Sequence, residues 1–388
     1  MEALIGFVLA GGSGKRLMPL TMKTPKPFLQ VAGRQLLEYS VELLEEAGVD
    51  EIVVIAPPGR SGLARVGRSA HVVEQRGQDV AGALRTALEE ARARRAREAL
   101  VAYTGFVARP PTLARAVLEH YTTSGSPIVI ALAPVATGLE TYGFAELDYT
   151  GRVTSFMAPR SPSKVWLGGR GYVFAGVMAL DVGRLEDLAS APFEESMSRA
   201  AARGLVGGFV WPERWVEVGY PWDLLELLKV VLAEGGTSVS GGASVGASAR
   251  VGRGVVIDEG AVVEDGAVIV GPAYIGRGAR VLSGAVIKPY TSVEEGAEVG
   301  EGAVVSNSVV MAGARVGALS EVRSSIVGEG AVVEPGAHLV EGAPSMLPER
   351  LAWAKEYLGE GLRLGAVVAP GMTVRCCSYI GRGQVVEP

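Results

Sequence analysis

Two hydrophobic periods divide the chain. Over the first 220 residues, short apolar runs alternate with helical spacing. Leu4 to Leu9 reads as a strand. Leu36 to Ala47 carries Leu36, Leu37, Val41, Leu43 and Leu44 on one helical face and ends at Gly48. Glu51 to Ala56, Leu100 to Tyr103 and Pro127 to Ala133 read as strands, and Ala81 to Ala96 and Leu113 to His120 as helices. Strand, helix, strand in this order predicts an α/β domain with a mostly parallel sheet and helices on both faces. Trp222 to Glu234 predicts one amphipathic helix, and Gly235-Gly236 closes a domain of residues 1–235.

Beyond Gly236, aliphatic residues recur at every sixth position: Val239, Val245, Val251, Ile257, Val263, Ile269, Ile275, Val281, Ile287, Val293, Val299 and Val305. A small residue (Ala261, Ala267, Ala273, Ala279, Ala285, Thr291, Ala297) stands two before the next aliphatic, so both face the same side of a short strand. A fixed period of this kind is the mark of a solenoid. Three hexads make one coil, the aliphatic filling each inner side. The phase slips by one near Ser306 to Ser308 and resumes at Val310, Val316 and Val322, then at Val368, Val374, Ile380 and Val386. Residues 236–388 therefore form a second domain, a parallel β-helix, with a helical segment inserted near 348–357.

Composition narrows the function. The chain has 388 residues and a formal net charge of −5, which leaves no electrostatic footprint for nucleic acid or an anionic membrane. No apolar run is long enough to cross a bilayer. The N-terminal run lacks a basic leader, so a cytoplasmic protein without a signal peptide is expected. The two cysteines, Cys376 and Cys377, are adjacent, poorly placed to bridge each other and too few for a zinc site. Only seven residues are lysine, and three of them (Lys15, Lys23, Lys26) crowd one twelve-residue window. That clustering points to a local need for ammonium groups.

The window holds the candidate chemistry. After the first strand come Gly11, Gly12, Gly14, Arg16 and Leu17, then Pro19-Leu-Thr and Pro25-Lys26-Pro27. A glycine loop between strand and helix lets backbone N–H groups approach phosphates, and Arg16 and Lys26 neutralise phosphate charge. Together with Val31 to Tyr39, this segment closely resembles the signature of the sugar-1-phosphate nucleotidylyltransferases. The likeness extends along nearly the whole chain to two-domain members with an acetyltransferase-like half. It implies a Rossmann-like nucleotidyltransferase domain followed by a left-handed parallel β-helix. It implies in-line attack of a sugar-1-phosphate on a nucleoside triphosphate with loss of pyrophosphate, aided by Mg²⁺. Gln75 and the Ala81-Gly82-Ala83-Leu84 run match the family's nucleobase side, and Tyr142-Gly143 its sugar side.

Departures from the pattern fall at one end of the implied site. Gly105 stands where the family carries a metal-binding Asp, and Glu217 replaces the second Asp. Met157-Ala158-Pro159 stands for Glu-Lys-Pro, and Phe174-Ala175-Gly176 for Asn-Ala-Gly. In the coil, Ala318 precedes Leu319-Ser320 where related acetyltransferases place a His, and His338 reads as structural. Three readings stay open: a nucleotidylyltransferase with Glu217 as its metal ligand, a non-catalytic nucleotide- or nucleotide-sugar-binding paralogue that regulates or scaffolds an active relative, and a β-helix acyltransferase using a base other than Ala318. Resemblance also implies assembly, as a homo-oligomer such as a trimer or as a hetero-oligomer with an active paralogue.

Overall fold

The computed structural model describes residues 4–12, 14–67, 70–77, 79–134, 143–157, 171–233, 235–342 and 364–388. Tyr142 and the helix expected near 348–357 lie outside these residues. The chain forms two compact units. One comprises Met1–Ser13, Lys26–Phe28 and Gln35–Glu217, the other Gly14–Pro25, Leu29–Arg34 and Val218–Pro388.

The first unit is built on a mixed sheet. In chain order, its elements and those of the intervening hairpin are β1 (Leu4–Leu9), β2 (Gln30–Val31), β3 (Arg34–Gln35), α1 (Leu36–Glu46), β4 (Glu51–Ala56), β5 (Ala70–Glu74), α2 (Val80–Ala93), β6 (Glu98–Tyr103), β7 (Phe106–Arg109) and α3 (Leu113–Ser124). There follow β8 (Ile128–Pro134), β9 (Phe144–Leu147), β10 (Val153–Met157), β11 (Gly171–Asp181), α4 (Val182–Leu188), α5 (Phe193–Ala202), β12 (Val206–Val210) and β13 (Arg214–Glu217). The sheet runs β10-β9-β11-β6-β1-β4-β5, with β8 on β11 and β12 on β8. β1 pairs in parallel with both β4 and β6, and β4 with β5. β11 runs antiparallel to β6. β13 and β7 make a separate antiparallel ribbon in which Glu217 faces Phe106.

The apolar run of β1 is buried on both faces, as central strands of such sheets are. Ile5, Phe7 and Leu9 join one core with Leu84, Leu88, Leu185 and Phe193, while Val8 joins the opposite core with Leu37, Leu44, Leu113 and Val117. α1 starts with a reciprocal cap: the Gln35 N–H donates to Glu38 Oε2 at 2.6 Å.

The second unit is the coil, with helix α6 (Asp223–Leu232) preceding it. Its strands stack in three parallel sheets of eight, seven and seven strands. Ile257 pairs with Ile275 and Ile275 with Val293, a step of eighteen residues that matches three hexads. The predicted inner aliphatics from Ile257 to Val305 form one continuous core with Ala261, Ala267, Ala279 and Ala285. At the predicted phase slip the step shortens to seventeen, Val293 pairing with Val310 and Val310 with Val327. Asn307 and Ser324 take left-handed backbone at the shortened corner, at φ 47° and 44°. Buried serines repair the turn: Ser308 Oγ accepts the Ser325 N–H at 3.1 Å, and Ser325 Oγ accepts the Ala366 N–H at 2.9 Å.

The first coil departs from the expectation that every hexad aliphatic is interior. Val239 and Val245 are 47% and 38% exposed. A terminal solenoid repeat has a neighbour on one side only, so its inward residues lack half their packing. No helix among the described residues is long and apolar enough to cross a membrane.

Candidate nucleotide site

Parallel strands end together, and ligands of α/β sheets collect beyond the carboxyl ends where neighbouring connections diverge. β1, β4, β5 and β6 all end at one edge, locked by short hydrogen bonds. The Ala10 N–H donates to Ile55 O, Thr104 N–H to Leu9 O and Gln75 N–H to Ala56 O, at 2.9, 3.1 and 2.9 Å. Beyond that edge lies a cavity of about 390 Å³. Gly11, Gly12, Lys26, Gln75, Asp79, Tyr103, Thr104 and Phe106 line it, with Leu9, Pro27, Val80 and Ala83. The volume falls within the ordinary range for small-molecule sites.

Three of the lining residues carry a side-chain oxygen with no hydrogen-bond partner among the described residues. These oxygens, Gln75 Oε1, Tyr103 Oη and Thr104 Oγ1, are buried. The Gln75 amide is fixed by Nε2 donating to Gly77 O at 2.8 Å, which aims Oε1 as an acceptor. Burial pushes the Tyr103 phenol well above its ordinary pKa, with Glu194 adding to the shift, so Tyr103 stays a neutral hydroxyl. Buried polar groups are almost always satisfied, and an orphan costs about 1–3 kcal/mol.

Charge on the wall is sparse. Lys26 is the one basic residue among the lining residues. Asp79 caps α2, its Oδ1 accepting the Gly82 N–H at 2.7 Å. Gly82 lies in the first turn of that helix, against the Arg76 carbonyl, which a β-carbon would meet at 2.3 Å. Its place is to let the loop after Gln75 close, and it does not line the cavity.

The other end of the implied site is aromatic. Tyr103 meets Phe174 edge-on at 5.3 Å and Phe193 at 5.5 Å. Phe106 packs on Phe174 at 6.1 Å and on Trp215 at 6.0 Å, and Phe156 joins Phe174 at 6.4 Å. Gly143 belongs with this cluster: its carbonyl accepts the Phe174 N–H at 2.9 Å, and a β-carbon there would meet Phe156 at 2.9 Å. Gly176, at φ 77°, leaves room for the Phe106 ring, which a β-carbon would strike at 2.2 Å.

Glu217 is buried on β13 opposite Phe106. Gly105, at φ 99°, precedes Phe106 and brings no carboxylate. Among the described residues no group of three or more His, Cys, Asp and Glu is placed to hold a metal ion. With glycine at 105, Glu217 is the one carboxylate at the two positions that the resemblance assigns to the metal.

Structure thus gathers Gly11, Gly12, Lys26 and Gln75, and leaves Gly82, Gly143 and Glu217 off the cavity lining. Gly14 and Arg16 belong to the second unit. There Gly14 opens a short helical turn at φ 60°, and the Arg16 guanidinium lies over the Tyr220 ring, 5.3 Å from its centroid. Tyr103, Thr104 and Phe106 were not singled out as site residues from sequence; their position after a strand parallel to β1 is the signal that finds them. In the coil, His338 stacks on Tyr379 at 4.6 Å with Nδ1 3.5 Å from Glu321, a structural setting.

Residues 5–234 match the family model described as nucleotidyl transferase, and residues 269–380 match the model described as GMPPB C-terminal domain. The chain belongs to the nucleotidyl transferase family, with a C-terminal domain of stacked parallel strands. It is similar to mannose-1-phosphate guanylyltransferase 1 of Arabidopsis thaliana, 26% identical over 246 residues, covering 60% of this chain and 65% of that one. Shorter likeness, 52% over 50 residues, joins it to the low-salt glycan biosynthesis nucleotidyltransferase Agl11 of Haloferax volcanii (13% of this chain, 14% of that one). A bifunctional sugar-1-phosphate nucleotidylyltransferase/acetyltransferase of Sulfurisphaera tokodaii is 45% identical over 49 residues (13% and 12%). The chain thus spans less than two thirds of the length of each of these relatives.

Proposed function

We propose that the first unit binds a nucleoside triphosphate, or the nucleotide end of a nucleotide-sugar, and that the protein acts as a non-catalytic regulatory or scaffolding member of the sugar-1-phosphate nucleotidylyltransferases. The observation that supports the binding is that three residues lining one cavity, Gln75, Tyr103 and Thr104, each carry a buried side-chain oxygen without a hydrogen-bond partner among the described residues. Gln75 takes a donor from the base. Gly11 and Gly12 let the phosphates approach the backbone, and Lys26 supplies positive charge. Arg16 enters this reading from its place in the glycine-loop signature. An assembly with an active relative, or of several copies, is the expected setting.

Loss of turnover is read from the residues beyond Tyr103. Transfer between two phosphates depends on positioning and charge neutralisation. Removing one well-placed stabilising group costs on the order of 10²–10³ in rate. Here one carboxylate is absent at Gly105, and the next residue, Phe106, packs on Phe174. A second reading, turnover with Glu217 as the metal ligand, is favoured by the buried carboxylate on β13.

The test is purified protein with each of four nucleoside triphosphates and Mg²⁺. Glucose-1-phosphate, mannose-1-phosphate and N-acetylglucosamine-1-phosphate are offered as acceptors. Calorimetric binding without pyrophosphate release upholds the regulatory reading. Release above about 1 s⁻¹, the lower end of ordinary enzymes, replaces it with the second.

A further inference from the structure

A three-sided coil turns three outer faces away from its core, and here the three are finished differently. On one face the outward residues Tyr274, Ser292, Val309, Ile326 and Val367 stack strand on strand. All five are buried, and the Ala32 N–H donates there to Ser292 Oγ at 3.3 Å and to Glu294 Oε1 at 2.7 Å. On the second face Arg280, Glu298 and Arg315 stack with alternating charge. The Arg280 guanidinium lies 3.5 Å from Glu264 and 3.7 Å from Glu298, a finish suited to water.

The third face is apolar at its centre and charged at its ends. Its outward column runs Arg250, Val268, Val286, Val304, Glu321. The neighbours Val251, Ile269, Ile287, Val305 and Val322 pack into the core, so strand alternation sends these five outward. Arg250 is exposed and the three valines are half-buried. Val270, on the same side of its strand as Val268, is 44% exposed. Core packing does not account for valine at 268, 286 and 304.

The column is complementary to itself turned end for end. About a two-fold axis parallel to the strands at Val286, a second copy sets Val286 on Val286, Val268 on Val304 and Arg250 on Glu321. Moving the axis by one strand sets Val286 on Glu321 or on Arg250, and running the coils parallel sets Arg250 on Arg250. A two-fold interface requires such self-complementarity, because each contact occurs twice. Glu321 Oε1 accepts the Arg323 Nε–H at 2.5 Å and Oε2 lies 3.5 Å from His338 Nδ1. A carboxylate accepts about four hydrogen bonds, which leaves room for Arg250. Lys288, two beyond Val286, is exposed and long enough to carry its ammonium out to water.

We infer that this face docks a second copy of the chain, coil antiparallel to coil, with Val286 on the two-fold axis and Arg250 against Glu321 of the partner subunit at both ends. Nothing in this pairing depends on what the cavity of the first unit binds. Five strands about 4.8 Å apart make a contact roughly 20 Å long, small beside stable dimer interfaces, so the pair is weak, with a Kd of about 10–100 µM.

The test is sedimentation of the full chain over concentrations from about 1 to 300 µM, spanning that Kd. Wild type is compared with Val286→Glu, Arg250→Glu, Glu321→Arg and the double variant Arg250→Glu/Glu321→Arg. These side chains point away from the core, so each variant should melt close to wild type, and melting checks that each folds. Val286→Glu should abolish the dimer. Each single charge reversal should weaken it about tenfold, and the double variant should recover most of that loss, since paired residues are non-additive. A monomer throughout the range, or an assembly that Val286→Glu leaves intact, overturns the inference. So does a double variant no tighter than the single ones, because Arg250 and Glu321 then do not meet. A trimer overturns it as well, since a three-fold axis cannot set Val286 face to face with itself.

Discussion

The side chain of Gln75 occupies the space a β-carbon on Gly11 would need, its Oε1 lying 1.7 Å from that point. Glycine at 11 is therefore a requirement of Gln75 as much as of any phosphate. Gly11→Ala should leave the sheet intact and push Gln75 off its seat, weakening nucleotide binding by about tenfold or more (~1.4 kcal/mol per tenfold). Gln75→Leu should produce a similar loss, and the two together little more than either. Calorimetry on the three variants checks this. Additive losses would mean that Gly11 and Gln75 serve the ligand separately.

Gly105 and Phe106 set up a second prediction. Restoring a carboxylate by Gly105→Asp should not restore transfer. The position holds φ 99°, where a side chain costs about 1–3 kcal/mol, and the next residue, Phe106, is packed on Phe174 and Trp215. The variant should melt several degrees lower than wild type and release no more pyrophosphate. A gain in release on this one change would show that the aromatic wall does not block the reaction and that Glu217 lacked only a partner.

How far these sites could be read in advance depended on the range of the interaction. The coil was legible because each hexad carries its own instruction: Ile257, Val263 and Ile269 point inward by local alternation, and the next coil repeats them. Even the corner at Ser306 to Ser308 announced itself as a slip in phase. Gly11, Gly12, Lys26 and Gln75 were legible as a signature. Tyr103 and Thr104 were not, because only the parallel register of β6 on β1, a pairing across some ninety residues, brings them to the glycine loop. Val239 and Val245 obey the same period as Ile257 and are exposed, since the period says which way a residue points and not whether a neighbouring coil covers it. The turn at Ala32-Gly33 reads locally as a hairpin, and its seat on Glu294 is a contact across some 260 positions.

The shortened corner gives a stability prediction. Ser325 Oγ donates to Arg323 O at 2.6 Å in a part-buried bond and accepts the Ala366 N–H at 2.9 Å in a buried one. Ser325→Ala would strand that N–H and cost about 1–3 kcal/mol. Ser283→Ala, whose hydroxyl bonds Glu264 on an exposed face, should cost under about 0.5 kcal/mol. Chemical denaturation of the two variants compares them. Equal effects would mean the corner has room for water to replace the serine.

Acid should loosen the coil from its first turn. Asp265 Oδ1 accepts the Ser248 N–H at 2.9 Å and the Ser248 hydroxyl at 2.7 Å. The backbone bond first, and the hydroxyl bond second, hold its carboxyl below the usual range. A carboxyl depressed in the folded state contributes stability that is present above the unfolded pKa of about 3.9 and is lost as pH falls through the lower folded value. Ser248 lies in the turn between the first strands, where Val239 and Val245 are already exposed and little apolar packing compensates. Amide protection over Ser244 to Val251 should therefore drop below about pH 4 while that over Val281 to Val305 persists. Asp265→Asn should show the same local loss at neutral pH and no further change on acidification. If protection falls together along the whole coil, unfolding is global, and Asp265 is not the group that governs the end.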